Sequence, residues 1–327
     1  MKVLLIRVSS LGDVLHNMPI VGDILRHFPE AQIDWVVEEN FVELVKLNPH
    51  VRKVIPFALR RWRKSLLSAA TRAEIKTFKK WLQAETYDVI LDTQGLLKTG
   101  VIMGLANGGA KVGLANGTEG SGYEPISRIF HSLSVPVDSR THAVLRGRLV
   151  ASRALGYDIG ETQPEFGLLA PASETMTWLP EHDYAVFFHG TAGVHKKWPA
   201  HDWITIGKYL QQHQLPVLLA WGNSTEFLEA EQLAAHIPGA VVLPKLSMLE
   251  AVALAQRAAL VVGVDTGLTH ISAAYGRPTV EIYSASPRWK TEGNWSDQII
   301  NLGDTGAAPG APEVIAAIER LIPSLIG

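Results

Sequence analysis

The chain has 327 residues, the length of two domains of roughly 150 residues each. With 47% hydrophobic and 19% charged residues it is neither a disordered polyelectrolyte nor a fibrous repeat, and 30 Lys and Arg against 32 Asp and Glu exclude a polycation built for nucleic acid. The absence of cysteine removes disulfide frameworks, thiolate nucleophiles, zinc ribbons and iron–sulfur clusters.

Short β-branched runs alternate with helical patterns, the signature of parallel sheets with crossover helices. Residues 2–8 (KVLLIRV) read as a buried strand, followed by a Ser-Ser-Leu-Gly-Asp turn and one helix to about His27. Strands are predicted at 32–37 and 51–56, a helix at 71–84, a strand at 87–92 and a helix at 98–107. Residues 107–122, rich in Gly and Asn, read as loop around a short strand at 111–114. A helix over 141–155 ends at Gly156, and the Gly- and Pro-punctuated stretch beyond it predicts a linker at 161–182. The rhythm then restarts, with strands at 184–189, 217–221, 240–243, 260–264 and 279–283. The expected organisation is a doubly wound domain at 1–160, the linker, a second at 183–310, and a terminal helix at 311–327. No apolar run approaches the ~20 residues that span a bilayer, and the N-terminal apolar block is too short for a signal peptide, so a cytoplasmic protein is expected.

The near-zero net charge hides an asymmetry. Between Arg52 and Trp81 stand ten basic residues and one acid, Glu74, giving +9 there and −11 over the rest. A solvated basic helix would account for it; so would a docking surface for an acidic ligand.

Several loops at strand ends carry polar groups. The first turn, Ser9-Ser10-Leu11-Gly12-Asp13, is not a dinucleotide fingerprint. Asp13 there is either a helix cap or a carboxylate placed as general base, whose pKa the helix N-terminus lowers. In the second half, Asp265-Thr266-Gly267-Leu268-Thr269-His270 joins a strand end to a helix start, where backbone N–H groups suit a diphosphate. The loop Gly190-Thr191-Ala192-Gly193-Val194-His195-Lys196-Lys197 offers small residues and a cation for a leaving diphosphate, and Glu226 offers a carboxylate for ribose hydroxyls. Each has a plain alternative: a capped helix, a solvated Lys pair, a first-turn Glu. There is no Asp-x-Asp, no zinc-type His spacing and no Gly-x-Ser-x-Gly elbow.

Taken together, the first turn through His16, the basic Arg60-Arg61-Trp62-Arg63-Lys64, Asp92-Thr93-Gln94-Gly95-Leu96, His195-Lys196-Lys197-Trp198-Pro199 and Val264-Asp265-Thr266-Gly267-Leu268-Thr269-His270 resemble the ADP-heptose:lipopolysaccharide heptosyltransferases, glycosyltransferase family 9. The resemblance runs over essentially the whole chain. It implies a GT-B fold, two Rossmann-like domains facing a cleft, with the terminal helix packing back on the first domain. It implies inverting, metal- and cofactor-free transfer of L-glycero-D-manno-heptose from ADP-heptose to the Kdo of Kdo2-lipid A, at the cytoplasmic face of the inner membrane. By position, Asp13 matches the general base and Lys196 the lysine that stabilises the departing diphosphate. Glu226 matches the ribose carboxylate, and Thr191, Asp265, Thr266, Gly267 and His270 the other donor contacts. Ser10, Arg60, Arg61, Arg63 and Lys64 match the acceptor side. Ala192 replaces a second Thr on the donor side, and Tyr123 replaces an Arg before Glu124-Pro125, leaving Arg128 as a substitute phosphate contact. The competing readings are transfer of the second heptose, a GT-B sugar-nucleotide epimerase and a non-catalytic nucleotide-sugar sensor.

Overall fold

The computed structural model describes the chain except at residues 173–175, 177, 192 and 324–327. Two compact units, Met1–Leu169 and Ala170–Gly327, each hold one parallel sheet.

The first unit runs β1 (Lys2–Ile6), α1 (Leu11–His16), α2 (Pro19–His27), β2 (Gln32–Glu38), α3 (Val42–Lys46), β3 (Val51–Phe57), α4 (Leu59–Trp62), α5 (Ala69–Leu82), β4 (Tyr87–Asp92), α6 (Leu97–Leu105), β5 (Gly108–Leu114), β6 (Leu133–Val135) and α7 (Ala143–Leu155). Among the described residues the sheet order is β3-β2-β1-β4-β5-β6. The second unit runs β7 (Ala185–Phe188), α8 (Ala200–Gln212), β8 (Val217–Leu219), α9 (Ser224–Ala234), β9 (Val241–Val242), α10 (Met248–Arg257), β10 (Leu260–Val264), α11 (Gly267–Ala274), β11 (Thr279–Tyr283), β12 (Ile299–Gly303) and α12 (Ala311–Leu321). Its order, β12-β11-β10-β7-β8-β9, repeats the first pattern.

Both sheets thus have the Rossmann order, and both reverse direction beside their first strand: between β1 and β4, and between β7 and β10. A crevice opens at the carboxyl ends of the strands at such a switch point, which is where ligands bind in open α/β sheets. The strands there are mainly apolar because helices cover both faces. Val3, Leu4, Leu5 and Ile6 of β1 are fully buried, as are Val261, Val262 and Val264 of β10.

The structure adjusts the expected boundaries. The single helix expected before His27 is two. Asn17 closes α1, its Nδ2 donating to the Asp13 carbonyl at 2.7 Å, and Pro19 opens α2, since its ring can neither donate to nor clear the preceding turn. Strands β6 and β12 escaped the sequence pattern: β6 is three residues long, and most of β12 is only half-buried. The first unit also extends past residue 160 into the expected linker: Phe166 is buried, the Leu169 N–H donates to the Leu47 carbonyl at 2.8 Å, and Arg148 donates to Thr162. The terminal helix α12 buries Ala311, Val314, Ala317 and Ile318 in the core of the second unit, and Tyr209 on α8 donates to its Glu319 at 2.9 Å. No described helix is long and apolar enough to cross a membrane.

Candidate active site

The first half-site stands at the end of β1. Asp13 occupies the third position of α1, where its Oδ2 accepts from the Ser10 N–H at 3.0 Å and the Ser10 hydroxyl at 2.8 Å. Ser10 is therefore the N-cap of α1, and Asp13, expected as a cap, is the third helical residue whose carboxylate reaches back to the N-cap N–H, the carboxylate half of a capping box. That role does not exhaust the residue. The other oxygen, Oδ1, forms an ion pair with the buried Arg7 of the strand end and lies 3.6 Å from the buried Arg146 on α7. Arg7 is fixed in turn by donating to the Thr93 carbonyl at 2.5 Å, and Arg146 by donating to Thr118 Oγ1 at 2.7 Å. Burial alone would raise the Asp13 pKa, but Arg7, Arg146 and the Ser10 bonds together hold it well below the usual carboxylate range. Its side chain remains 33% exposed, so it is charged, oriented and reachable. Arg146 pays part of the cost: burial and the neighbouring Arg7 lower its pKa to about 10 against the pull of Asp13.

The neighbouring β4 turn supports this loop. Asp92 Oδ1 accepts from the N–H groups of Gln94 and Gly95, its Oδ2 accepts from Thr99, and Gln94 Oε1 accepts from the Val8 N–H at 3.0 Å. Gly95 is required twice over, by its positive φ of 73° and by the Tyr123 ring, 2.9 Å from where a Cβ would stand. Tyr123 thereby has a packing role where the family resemblance led to an arginine, and its hydroxyl donates to the Ala115 carbonyl at 2.7 Å. Arg128 is exposed in a short turn, Pro125–Phe130. Lys98, half-buried, donates to Ser9 Oγ at 3.2 Å, a cation beside this turn that sequence reasoning did not single out.

The basic loop resolves into two kinds of residue. Trp62 is buried between Phe57 and Phe78, with its indole N–H donating to Glu74 at 2.8 Å. Arg61 bridges Glu39 and Glu74 at 2.9 and 2.7 Å, so it closes α4 against its surroundings. Arg60, Arg63 and Lys64 are exposed, followed by exposed Leu66 and Leu67.

The second half-site collects around β7, β8 and β10. The two lysines of the 194–196 turn and its edge diverge: Lys196 donates to Asp265 Oδ2 at 2.7 Å, and Lys197 pairs with Glu229. Asp265, at the end of β10, accepts on its other oxygen from His270 Nε2 at 3.1 Å and from Thr291 at 3.3 Å. Burial opposes the charge on Asp265, yet His270 and Lys196 hold its pKa far below the ordinary value. Helix α11 starts immediately afterwards, with Thr266 extended at its cap and Gly267 as its first residue. It seats tightly on β10 because Gly263 has no side chain: a Cβ there would lie 2.0 Å from Thr269 Oγ1. His270 is buried behind Asp265, with both ring nitrogens directed at carboxylates, the second being Glu281 Oε1 at 2.8 Å.

Glu226 sits in the first turn of α9, capped by Asn223, and its Oε2 accepts from the Gly222 N–H at 2.7 Å. Its carboxyl packs on Gly190, where a Cβ would stand 2.5 Å from Cδ, so the β7 loop carries glycine to admit it. Thr191 is half-buried beside it in sequence, while Ala192 lies outside the described residues. Thus Thr191, Lys196, Glu226, Asp265, Thr266 and Gly267 all stand on the carboxyl-end loops of one sheet. Among the described residues no three His, Asp or Glu side chains form a metal-holding group.

Residues 75–313 match the model of glycosyltransferase family 9 (heptosyltransferase). The chain is 35% identical over 302 residues to lipopolysaccharide heptosyltransferase 1 of Escherichia coli (strain K12), covering 92% of this chain and 93% of that one. It also superposes on the E. coli heptosyltransferase WaaC with ADP at a TM-score of 0.86 and 34% identity, covering 98% and 100% of the two chains. On the same enzyme with ADP-2-deoxy-2-fluoro heptose the TM-score is 0.81, at 34% identity and 98% and 99% coverage. Its two Rossmann-like units have the GT-B architecture, and the chain belongs to glycosyltransferase family 9, the heptosyltransferases.

Proposed function

We propose that the chain transfers L-glycero-D-manno-heptose from ADP-heptose to the Kdo of Kdo2-lipid A, inverting the anomeric carbon and using neither metal nor other cofactor. The observation that carries this reading is the division of chemistry between the units. A charged, reachable carboxylate, Asp13, closes β1 of one, and a lysine–carboxylate pair beside a helix start, Lys196 and Asp265, closes β7 and β10 of the other. The complexes of the E. coli relative with ADP and with a fluorinated ADP-heptose support the donor.

In the proposed step, the Kdo hydroxyl oxygen attacks the anomeric carbon from the face opposite the diphosphate. The carbon–oxygen bond to ADP breaks, the electron pair leaves with the diphosphate, and Asp13 takes the hydroxyl proton. An aspartate with so low a pKa is a poor base toward a resting hydroxyl, but it suffices once bond formation makes that proton acidic. Lys196 and the N–H groups opening α11 stabilise the charge on the leaving diphosphate. Glu226 holds the ribose, with Thr191 and Asp265 completing the donor contacts. Two guanidiniums against one carboxylate leave positive charge around Asp13, which suits an acidic sugar as acceptor.

Arg60, Arg63 and Lys64 form the acceptor's phosphate-binding loop, with Ser10 beside the base. The exposed Leu66 and Leu67 next to these cations favour contact with an amphiphile at the anionic cytoplasmic surface of the inner membrane. The test is ADP release from ADP-heptose with and without Kdo2-lipid A. Acceptor-dependent release of ADP, with the acceptor KM rising as salt is added, is expected. ADP binding without acceptor-dependent release would instead make the chain a nucleotide-sugar sensor.

A further inference from the structure

Behind the donor loops a row of charges runs inward from Lys196 and Asp265 to two buried groups, His270 and Glu281, that the transfer step does not use. From solvent inward it runs Lys196, Asp265, His270 and Glu281, linked at 2.7, 3.1 and 2.8 Å. Exposure falls along the row, from 32% for the Lys196 side chain through 11% and 3% to zero for Glu281. The second Glu281 oxygen is also satisfied, accepting from the Tyr283 hydroxyl at 2.9 Å and the Gly293 N–H at 3.0 Å.

The geometry fixes the charge of the imidazole. A neutral histidine has one N–H donor and one acceptor nitrogen, whereas here each nitrogen faces a carboxylate oxygen that can only accept. With Asp265 and Glu281 both ionised, both nitrogens donate and the ring is an imidazolium. The groups around it agree: Asp265 at the end of β10, Glu281 on β11, Tyr283 donating to Glu281, Thr291 donating to Asp265, and Lys196 one step further along the row. Burial would strip the proton, but Glu281 and Asp265 outweigh it and raise the His270 pKa to about 10.

We propose that Glu281 is a positioning residue for the leaving-group lysine: it keeps His270 cationic, the imidazolium shares the Asp265 carboxylate, and Lys196 is left with uncompensated positive charge for a diphosphate. Without Glu281, a neutral His270 would leave Asp265 to Lys196 alone: the whole row stays at zero net charge, but the three groups nearest the diphosphate, Lys196, Asp265 and His270, fall from +1 to zero. The proposal rests on Lys196 facing the nucleotide diphosphate. It extends that reading to a residue that touches neither donor nor acceptor.

Two measurements test it. Nitrogen-15 NMR of histidine-labelled protein, with the His270 signals assigned by their loss in His270→Asn, reads the ring directly. A doubly protonated imidazole persisting at pH 8 is expected, and a neutral ring at that pH overturns the proposal whether or not the protein binds nucleotide. Calorimetric titration with ADP then reads the consequence. In Glu281→Gln the His270 pKa drops, so the proton is lost as pH rises, and ADP affinity is expected to fall about tenfold or more between pH 6 and 9, one pKa unit's worth or greater. The native protein should show no such fall over that range. A merely structural loss would weaken binding equally at every pH; that outcome, or native affinity throughout, overturns the proposal. Tyr283→Phe removes only the hydroxyl donated to Glu281 and is expected to change the pH dependence in the same direction by less, which keeps the test open should Glu281→Gln fail to fold. Absence of ADP binding by the native protein would count against the transferase reading, leaving the NMR result to decide this one.

Discussion

Asp13 meets two demands with the two oxygens of one carboxylate. Oδ2 accepts from both donors of Ser10, the N-cap of α1, and Oδ1 takes the charge of Arg7 and Arg146. With its folded pKa held below the unfolded value, its contribution to stability is present above the ordinary carboxylate range and is lost only as pH falls through the folded value. Across neutral pH Asp13 is therefore always ionised, and an acid limb in turnover near pH 6 would belong to another group. The sequence pattern located Asp13 and its competing roles because both rest on local spacing. It left out Arg7, Arg146, Lys98 and Glu281, whose significance comes from contacts made by distant parts of each unit. It also left the lysine pair undivided, and the structure separates it: Lys196 turns to Asp265 and Lys197 to Glu229. Lys196→Ala is accordingly expected to weaken ADP binding and to lower kcat by about 100-fold, the scale of one lost charge-stabilising donor, whereas Lys197→Ala should leave kcat within about threefold. Calorimetry with ADP and steady-state kinetics check both, and equal effects would remove the distinction.

At the scale of elements, the site is a product of where strands end. The switch points β1/β4 and β7/β10 bring together turns from non-adjacent parts of the sequence, and the apolar runs that form these strands were plain in the sequence because each is buried on both faces. The strands β6 and β12 were not, β6 because three residues carry too little pattern and β12 because most of its residues are only half-buried. The division at Pro19 was written in the sequence, yet the apolar periodicity on either side suggested one helix. Close seating of α11 on β10 depends on Gly263, which as a strand glycine gave no hint of which backbone it admits. We expect Gly263→Ala to destabilise the protein by about 1–3 kcal/mol in urea denaturation, because the added methyl must displace Thr269. The N-terminus of α11 would shift with it, so ADP affinity should fall as well. Unchanged stability would mean that the helix is free to move away.

For the whole molecule, the +9 segment is less uniform than its composition. Arg52 is held by Asp34 at 2.8 Å and Arg61 by Glu39 and Glu74, so acids from inside and outside the segment neutralise part of it. Arg60, Arg63, Lys64, Arg72, Lys76, Lys79 and Lys80 remain exposed. Charge counting found the region; only the folded chain separates cations that close the structure from those that can meet an acidic lipid. The same holds for domain limits, where glycine and proline content suggested a linker that the first unit partly absorbs, and for α12, whose apolar side belongs to the second core. The proposed reaction needs both units at once, a base from one and a leaving-group cation from the other. The most direct test is Asp13→Asn, measured for ADP binding by calorimetry and for ADP release with ADP-heptose and Kdo2-lipid A. ADP affinity within about twofold of the native protein is expected, with kcat reduced by about 100- to 10,000-fold, the range of a lost general base. Near-native turnover would contradict the assignment of Asp13 and the division of labour built on it.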